Sequence, residues 1–307
     1  MNAAFDAAGL KLFERGWLSS NCVLFDGGRD HEALIVDSGY CTHAAQTVAL
    51  VRDALGAKPL SHLVNTHLHS DHCGGNHALQ LGFGCSIDVP IGEVTKVDRW
   101  DESALTYRDT GQQCPRFART GTLRDGDEIA CGAMPWQVVA APGHDPESIV
   151  LYQSDLRVLI SADALWENGF GVVFPEIEGM GAFDDVRNTL NRLSALPIDW
   201  VIPGHGPPFQ GFSAALARAH GRLDGFMSNP ARHARHAAKV LIKFHLLEVQ
   251  KTGLTDLRVW LGSTRYMRLI HSSYFKATSF EPWSEALLRE LATSRSISIS
   301  DGEICNI

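Results

Sequence analysis

His67, His69, Asp71 and His72 place four side chains able to bind a metal within six residues, in the run Thr66-His67-Leu68-His69-Ser70-Asp71-His72. Three are imidazoles and one is a carboxylate, a donor mixture that suits zinc and also iron or manganese. A histidine-rich surface loop is the bland alternative. A cluster of this kind accompanied by further ligands downstream is far more specific than that.

Such ligands follow. His144 ends Ala140-Ala141-Pro142-Gly143-His144, after the apolar run Gln137 to Ala140. Asp163 closes Arg157-Val158-Leu159-Ile160-Ser161-Ala162-Asp163. His205 closes Trp200-Val201-Ile202-Pro203-Gly204-His205. Each time an apolar strand delivers a metal-type ligand at its C-terminal end, with Gly or Ala beside it to give room. One histidine after a strand is more often structural, but three such strand ends after a His/Asp cluster form a pattern.

The chain thereby resembles the metallo-β-lactamase-fold hydrolase superfamily, and within it the glyoxalase-II-like group. His67, His69, Asp71 and His72 complete its HxHxDH motif. His144, Asp163 and His205 match its later single ligands in order and context, and Asp37-Ser38-Gly39 looks like its early Asp-x-Gly element. The likeness covers about the first 210 residues. It implies two divalent metal ions, zinc favoured over iron or manganese. His67, His69 and His144 would hold one and Asp71, His72 and His205 the other, with Asp163 bridging them. A water shared by two such ions has its pKa lowered towards neutrality, and Asp71 would handle a proton. Asp163 stands where β-lactamases of this superfamily commonly carry Cys, which disfavours antibiotic hydrolysis. His69 stands where flavodiiron relatives carry a carboxylate, which favours hydrolysis over oxygen or nitric oxide reduction. Lactonases often have Tyr where this chain has Trp166, which weighs against a lactone.

The elements that must position these residues can be read from pattern and punctuation. Leu60 to Asn65 predicts a buried strand, and Asn76 to Gln80 a helix after Gly74-Gly75. The cluster therefore sits on a tight strand-to-helix turn, where side chains can converge. Cys22 to Phe25 and Ala33 to Val36 predict a hairpin across Gly27-Gly28, and Thr42 a cap for a helix to about Leu55. Ser86 to Val89 predicts a short strand. Strands at Asp127 to Cys131, Trp136 to Ala140, Ile149 to Tyr152 and Val158 to Ser161 make a second run, with a helix from Asp184 to Leu196. The resemblance implies a four-layer αββα sandwich. Residues 91–122, with Trp100, Tyr107 and Phe117, break the pattern and read equally as a solvated flap or a lid over the metal face. Trp166, Phe170 and Phe174, just after Asp163, read either as a substrate-pocket wall or as an aromatic plug in the core.

Past His205 the pattern turns helical: Phe212 to Phe226, Pro230 to about Gln250 behind Asn229, Thr255 towards Ser263, and Pro282 to Leu291. Alternation around Asp301-Gly302 predicts a terminal hairpin. The division expected is a catalytic region 1–210 and a mainly helical, winged-helix-like appendage 211–307.

Composition bounds the rest. With 307 residues, 45% hydrophobic and 20% charged, the chain can bury a sizeable core. The formal net charge of −8 argues against bulk polyanion binding. The stretch from Pro230 to Ile307 nevertheless carries 11 Lys or Arg against 7 Asp or Glu. Arg232, Arg235 and Lys239 read there as a solvated helix face or, less commonly, a nucleic-acid patch. The seven cysteines form no CxxC and no evident disulfide framework, which favours a reducing compartment, taken as the cytoplasm. Cys73 is expected to pack behind the metal loop. Met1 to Leu10 lacks the basic start of a signal peptide, and no run is long enough for a membrane helix.

The expectation is a metal-dependent hydrolase that cleaves a small ester, thioester or lactone with a hydroxide held between two metals. A phosphodiesterase or nuclease acting on RNA or DNA is the second reading, and a metal-retaining binding or effector protein with little turnover the third. The partner would be a small-molecule substrate, without a membrane. Oligomeric state is left open, a homodimer included.

Overall fold

A computed structural model describes residues 3–179 and 181–307. One sheet has six strands in sequence order: β1 (Leu10–Phe13), β2 (Cys22–Phe25), β3 (Ala33–Val36), β4 (Leu60–Val64), β5 (Ser86–Pro90) and β6 (Gly121–Leu123). The first three run antiparallel and β3 to β6 run parallel. The second sheet holds β7 (Glu128–Cys131), β8 (Met134–Ala140), β9 (Ile149–Gln153), β10 (Val158–Ala162) and β11 (Trp200–Pro203), all antiparallel except the β10–β11 pair.

Strands covered on both faces read as continuous apolar runs rather than alternations. Cys22-Val23-Leu24-Phe25 and Ala33-Leu34-Ile35-Val36 are buried throughout. Val23, Phe25, Leu34 and Val36 face the other sheet and pack with Trp136, Val138, Leu151 and Ile160. Cys22, Leu24 and Ile35 face outward onto Val51, Leu55 and Leu79 of the helices Ala44–Leu55 and Asn76–Phe83. The second sheet's outer face meets Val186, Leu190 and Leu193, spaced to form one stripe of the Ala182–Ser194 helix. The αββα sandwich follows from these two covered faces. The expected Thr42 cap is replaced by a 3₁₀ turn at Cys41–His43, and the helix begins at Ala44.

The C-terminal part has its own core. The Phe212–Ser228 helix still packs on the second sheet, through Ala215, Ala219 and Leu223. The boundary expected at 210/211 thus falls inside a packed layer. A separate cluster begins with the Pro230–Val249 helix and gathers Leu241, Tyr266, Trp283, Leu287, Ile297 and Ile304. Asn229 Oδ1 accepts the Arg232 N–H at 3.0 Å, with Pro230 in the first turn, as the sequence predicts. The terminal hairpin forms between β13 (Ile297–Ser300) and β14 (Glu303–Asn306), with positive φ at Asp301 and Gly302. It gains a third strand, β12 (Lys251–Gly253), and a helix at Arg265–Tyr274, neither evident from sequence pattern.

Arg235 and Lys239 do not form an open basic face. Both reach Glu290 on the Phe280–Thr293 helix, Arg235 through two nitrogens and Lys239 at 3.2 Å. One carboxylate placed 51 and 55 residues away partly compensates these two charges, while Arg232 stays exposed.

Candidate metal centre

The four expected delivery points converge. β4 ends in the turn carrying His67 and His69, and a short helix, Ser70–Cys73, presents Asp71 and His72. His144 follows β8, Asp163 follows β10 and His205 follows β11. Donor atoms of His67, His69 and His144 lie within 4.8 Å of one another, and so do those of Asp71, His72, Asp163 and His205. Asp163 spans both groups, at 3.3 Å from His144 Nε2 and 3.4 Å from His72 Nε2. A Cβ at Gly204 would clash with Asp163, so the glycine beside the last ligand is a requirement of space.

The chemistry of these donors fits a cation. His72 Nδ1 donates to Asp37 Oδ2 at 2.7 Å, and His144 Nδ1 donates to the Val172 carbonyl at 2.6 Å. Both acceptors have no proton to give, so each Nε2 is left for other partners: that of His144 lies 2.8 Å from His69 Nδ1, and that of His72 faces Asp163. His67 Nε2 is buried with no hydrogen-bond partner. Imidazole nitrogens packed 3.3–3.4 Å from a carboxylate call for positive charge between them, a proton or a metal ion.

Electrostatics agree. Burial, then the neighbouring His72 and His69, hold His67 well below the ordinary histidine range. Burial and His69 push His144 down to about 4. Burial alone would raise Asp163, but His72 and His205 outweigh it and hold the carboxyl well below its usual range. Burial would also lower His72; Asp37 and Asp163 reverse that and raise it well above. The same carboxylates that draw a proton to His72 would draw a divalent ion.

Asp37, marked in the sequence only as part of the Asp37-Ser38-Gly39 element, is the main positioning residue. Its backbone has φ 59°, a conformation Asp tolerates better than most residues. Besides His72 it accepts the Thr66 N–H at 2.9 Å and the Thr66 hydroxyl at 2.8 Å. Trp17 is unforeseen: its ring stacks on His205 at 5.4 Å and meets Trp166 edge-on. No local periodicity marks either contact.

The aromatics after Asp163 divide. Trp166 faces the cavity and donates from Nε1 to Asp163 Oδ1 at 3.1 Å. Phe174 touches the cavity but belongs mainly to the C-terminal core, against Tyr266. Phe170 is 2% exposed among Leu190, Leu223 and their neighbours, outside the cavity wall, where the plug reading placed it. The 91–122 excursion folds partly into the core, with Tyr107 and Phe117 buried, while Thr106, Thr110 and Gln112 reach the cavity. Cys73 packs behind the loop, its Sγ 3.1 Å from Tyr107 Oη, and all seven cysteines are free. No helix among the described residues is long and apolar enough to cross a membrane.

Comparison with known proteins agrees with this geometry. A family model described as the metallo-beta-lactamase superfamily matches residues 15–205. A hydroxyacylglutathione hydrolase of Rhizobium meliloti is 28% identical over 178 residues, 58% of each chain. One of Brucella ovis is 31% identical over 143 residues, 47% of this chain and 46% of the other. The matched region thus spans about half the length of these relatives. A metallo-beta-lactamase family protein from Thermus thermophilus superposes with TM-score 0.58 at 20% identity, covering 97% of this chain and 99% of the other. A beta-lactamase domain protein from Burkholderia ambifaria does so with TM-score 0.59 at 22% identity, covering 97% and 91%. These two likenesses extend through the C-terminal region.

Proposed function

This chain belongs to the metallo-β-lactamase superfamily, and from that membership we propose that it is a metal-dependent hydrolase of a small ester or thioester. The observation that carries the reading is the convergence of seven donors in two adjoining groups that share Asp163. His67, His69 and His144 would hold one divalent ion, and Asp71, His72 and His205 the second. Zinc is favoured by the donor types, with iron or manganese as alternatives. When bound, the ions supply a water of lowered pKa and polarise the carbonyl it attacks.

The chain's own residues do the rest. Asp37 fixes the His72 tautomer, and Val172 fixes that of His144. Trp166 orients Asp163 through its indole N–H. Asp71 receives His205 Nε2 at 3.1 Å and is the most exposed of the seven donors, so its carboxylate is placed to hold a proton at the cavity edge. Trp166 stands where a phenol would donate to a lactone carbonyl in related lactonases, and its N–H is already committed, which favours open-chain esters or thioesters.

The nuclease reading is weakened by the pairing of Arg235 and Lys239 with Glu290, and a compact cavity suits a small molecule better. The test is turnover of esters, thioesters, lactones and bis-p-nitrophenyl phosphate by protein of measured metal content. Cleavage of the phosphodiester alone would overturn the reading.

A further inference from the structure

The cavity beside the metal-ligand cluster has a second wall that the hydrolytic chemistry does not use. Its volume is about 810 Å³, within the range of pockets that enclose most of a drug-sized ligand. One side presents His69, Asp71, His144, Asp163 and His205. The other is the Pro230–Val249 helix, which turns Val240, Phe244 and Leu247 inward, with Leu291 of the Phe280–Thr293 helix beside them. Val240, Phe244 and Leu247 follow one another at helical i, i+4, i+7 spacing, and none is fully buried. Apolar surface left in water across a cavity costs free energy that an apolar occupant recovers.

The cations around this wall are hydrogen-bonded, and of the three only Lys239 meets a side-chain carboxylate. Lys239 bonds Glu290 at 3.2 Å. Lys243 donates to the Ser296 carbonyl at 2.6 Å and to Asn306 Oδ1 at 2.5 Å. Arg222 donates to the Asn168 carbonyl at 3.3 Å and bonds His236 Nε2 at 2.9 Å. Between these polar ends the helix offers an occupant the hydrocarbon of Val240, Phe244 and Leu247.

We propose that this C-terminal helix is the specificity wall, and that the substrate is an ester or thioester of a medium-length apolar acyl chain. The chain lies along Val240, Phe244 and Leu247, with its carbonyl towards Asp71 and Asp163. This assignment rests on the hydrolase reading. In the reaction the acyl–oxygen or acyl–sulfur bond breaks and water's oxygen bonds the acyl carbon. The alcohol or thiol leaves with one proton, and the acid product keeps the other equivalent.

The experiment uses metal-loaded protein and N-acetylcysteamine thioesters of C4 to C10 acids. Burial of each added methylene should raise kcat/KM by about four-fold until the wall is covered. Val240→Phe should abolish the gain for C8 and C10 and affect C4 least. Phe244→Ala should flatten the slope, with circular dichroism confirming the fold. Val259→Ser, at an exposed apolar position outside the cavity, should change nothing. Calorimetric titration with hexanoate and decanoate supplies a readout independent of turnover. Decanoate should bind tighter, and Val240→Phe should erase the difference.

The two readings fail separately. Chain-length-dependent binding without turnover of any ester or thioester would sink the hydrolase reading and keep the wall. Turnover with equal efficiency from C4 to C10 would remove the wall and keep the hydrolase. A preference for succinyl over butyryl that is lost in Arg222→Gln would overturn the apolar assignment in favour of an anionic acyl group.

Discussion

Replacing Asp37 by Asn tests whether the metal centre depends on a residue that binds no metal. Asn is the informative substitute for two reasons. It tolerates the positive φ at this position, and it preserves volume. Alanine would strand three buried donors at once. At about 1–3 kcal/mol each, that approaches the whole stability of an ordinary domain. With Asn, the amide oxygen can take the Oδ2 position and still accept from His72 Nδ1 and the Thr66 hydroxyl, which leaves the Thr66 N–H facing an NH₂ group. One unmet donor should lower stability by about 1–3 kcal/mol. The opposite orientation satisfies Thr66 N–H and forces His72 to move its proton to Nε2, the atom directed at Asp163. In either case His72 loses its anionic partner. Losses of this kind typically cost 10- to 100-fold in metal affinity, or ~1.4–2.7 kcal/mol. The assay is metal titration of apo-protein followed by competition with a chelator, alongside chemical denaturation. The second equivalent should weaken 10- to 100-fold in Asp37→Asn, and the first should change less. A folded variant that binds both equivalents with wild-type affinity would refute the role given to Asp37, and with it the placement of the second ion at His72.

Elemental analysis should find two metal ions per chain, falling to about one in His205→Ala; saturation at one equivalent in both proteins would refute the two-site arrangement. Trp166→Phe keeps the ring at the cavity and removes the hydrogen bond to Asp163, so kcat should fall with metal content intact, whereas unchanged kcat would show that Asp163 needs no such support. Phe170→Ala should lower the melting temperature, with a core-cavity cost of about 3–5 kcal/mol, and leave substrate preference unchanged; altered preference at wild-type stability would return Phe170 to the pocket wall. His233 gives a pH prediction: burial, then His236 and Arg222, push it down to about 4, while the unfolded side chain titrates near 6.5. Between these values the unfolded chain binds the extra proton, so stability falls as pH drops from about 6.5 to 4, by up to ~3 kcal/mol. Denaturation midpoints of His233→Phe and wild type, compared at pH 7 and pH 5, should show a smaller loss in the variant; equal losses would count against it.

The candidate donor set could be picked out in the sequence because each candidate ligand is delivered locally. A strand end or tight turn places His67, His69, Asp71, His72, His144, Asp163 and His205, and imidazole and carboxylate announce their chemistry by type alone. The inner strands were legible for a related reason, since strands covered on both faces must be apolar throughout, whereas the half-exposed edge strands β1 and β6 carried no such run. Contacts between distant segments carry no such mark. Asp37 reaches His72 across 35 residues, and Arg235 reaches Glu290 across 55. Trp166 and Phe170 are both aromatics just after Asp163, yet one turns to the cavity and the other to the core, because the Phe212–Ser228 helix covers only the second. The far wall of the cavity comes from a helix whose apolar stripe reads in sequence as ordinary core. Only the packing of that helix across the metal face leaves Val240, Phe244 and Leu247 looking into open space, since periodicity reports which side of a helix is apolar and says nothing about what lies opposite it.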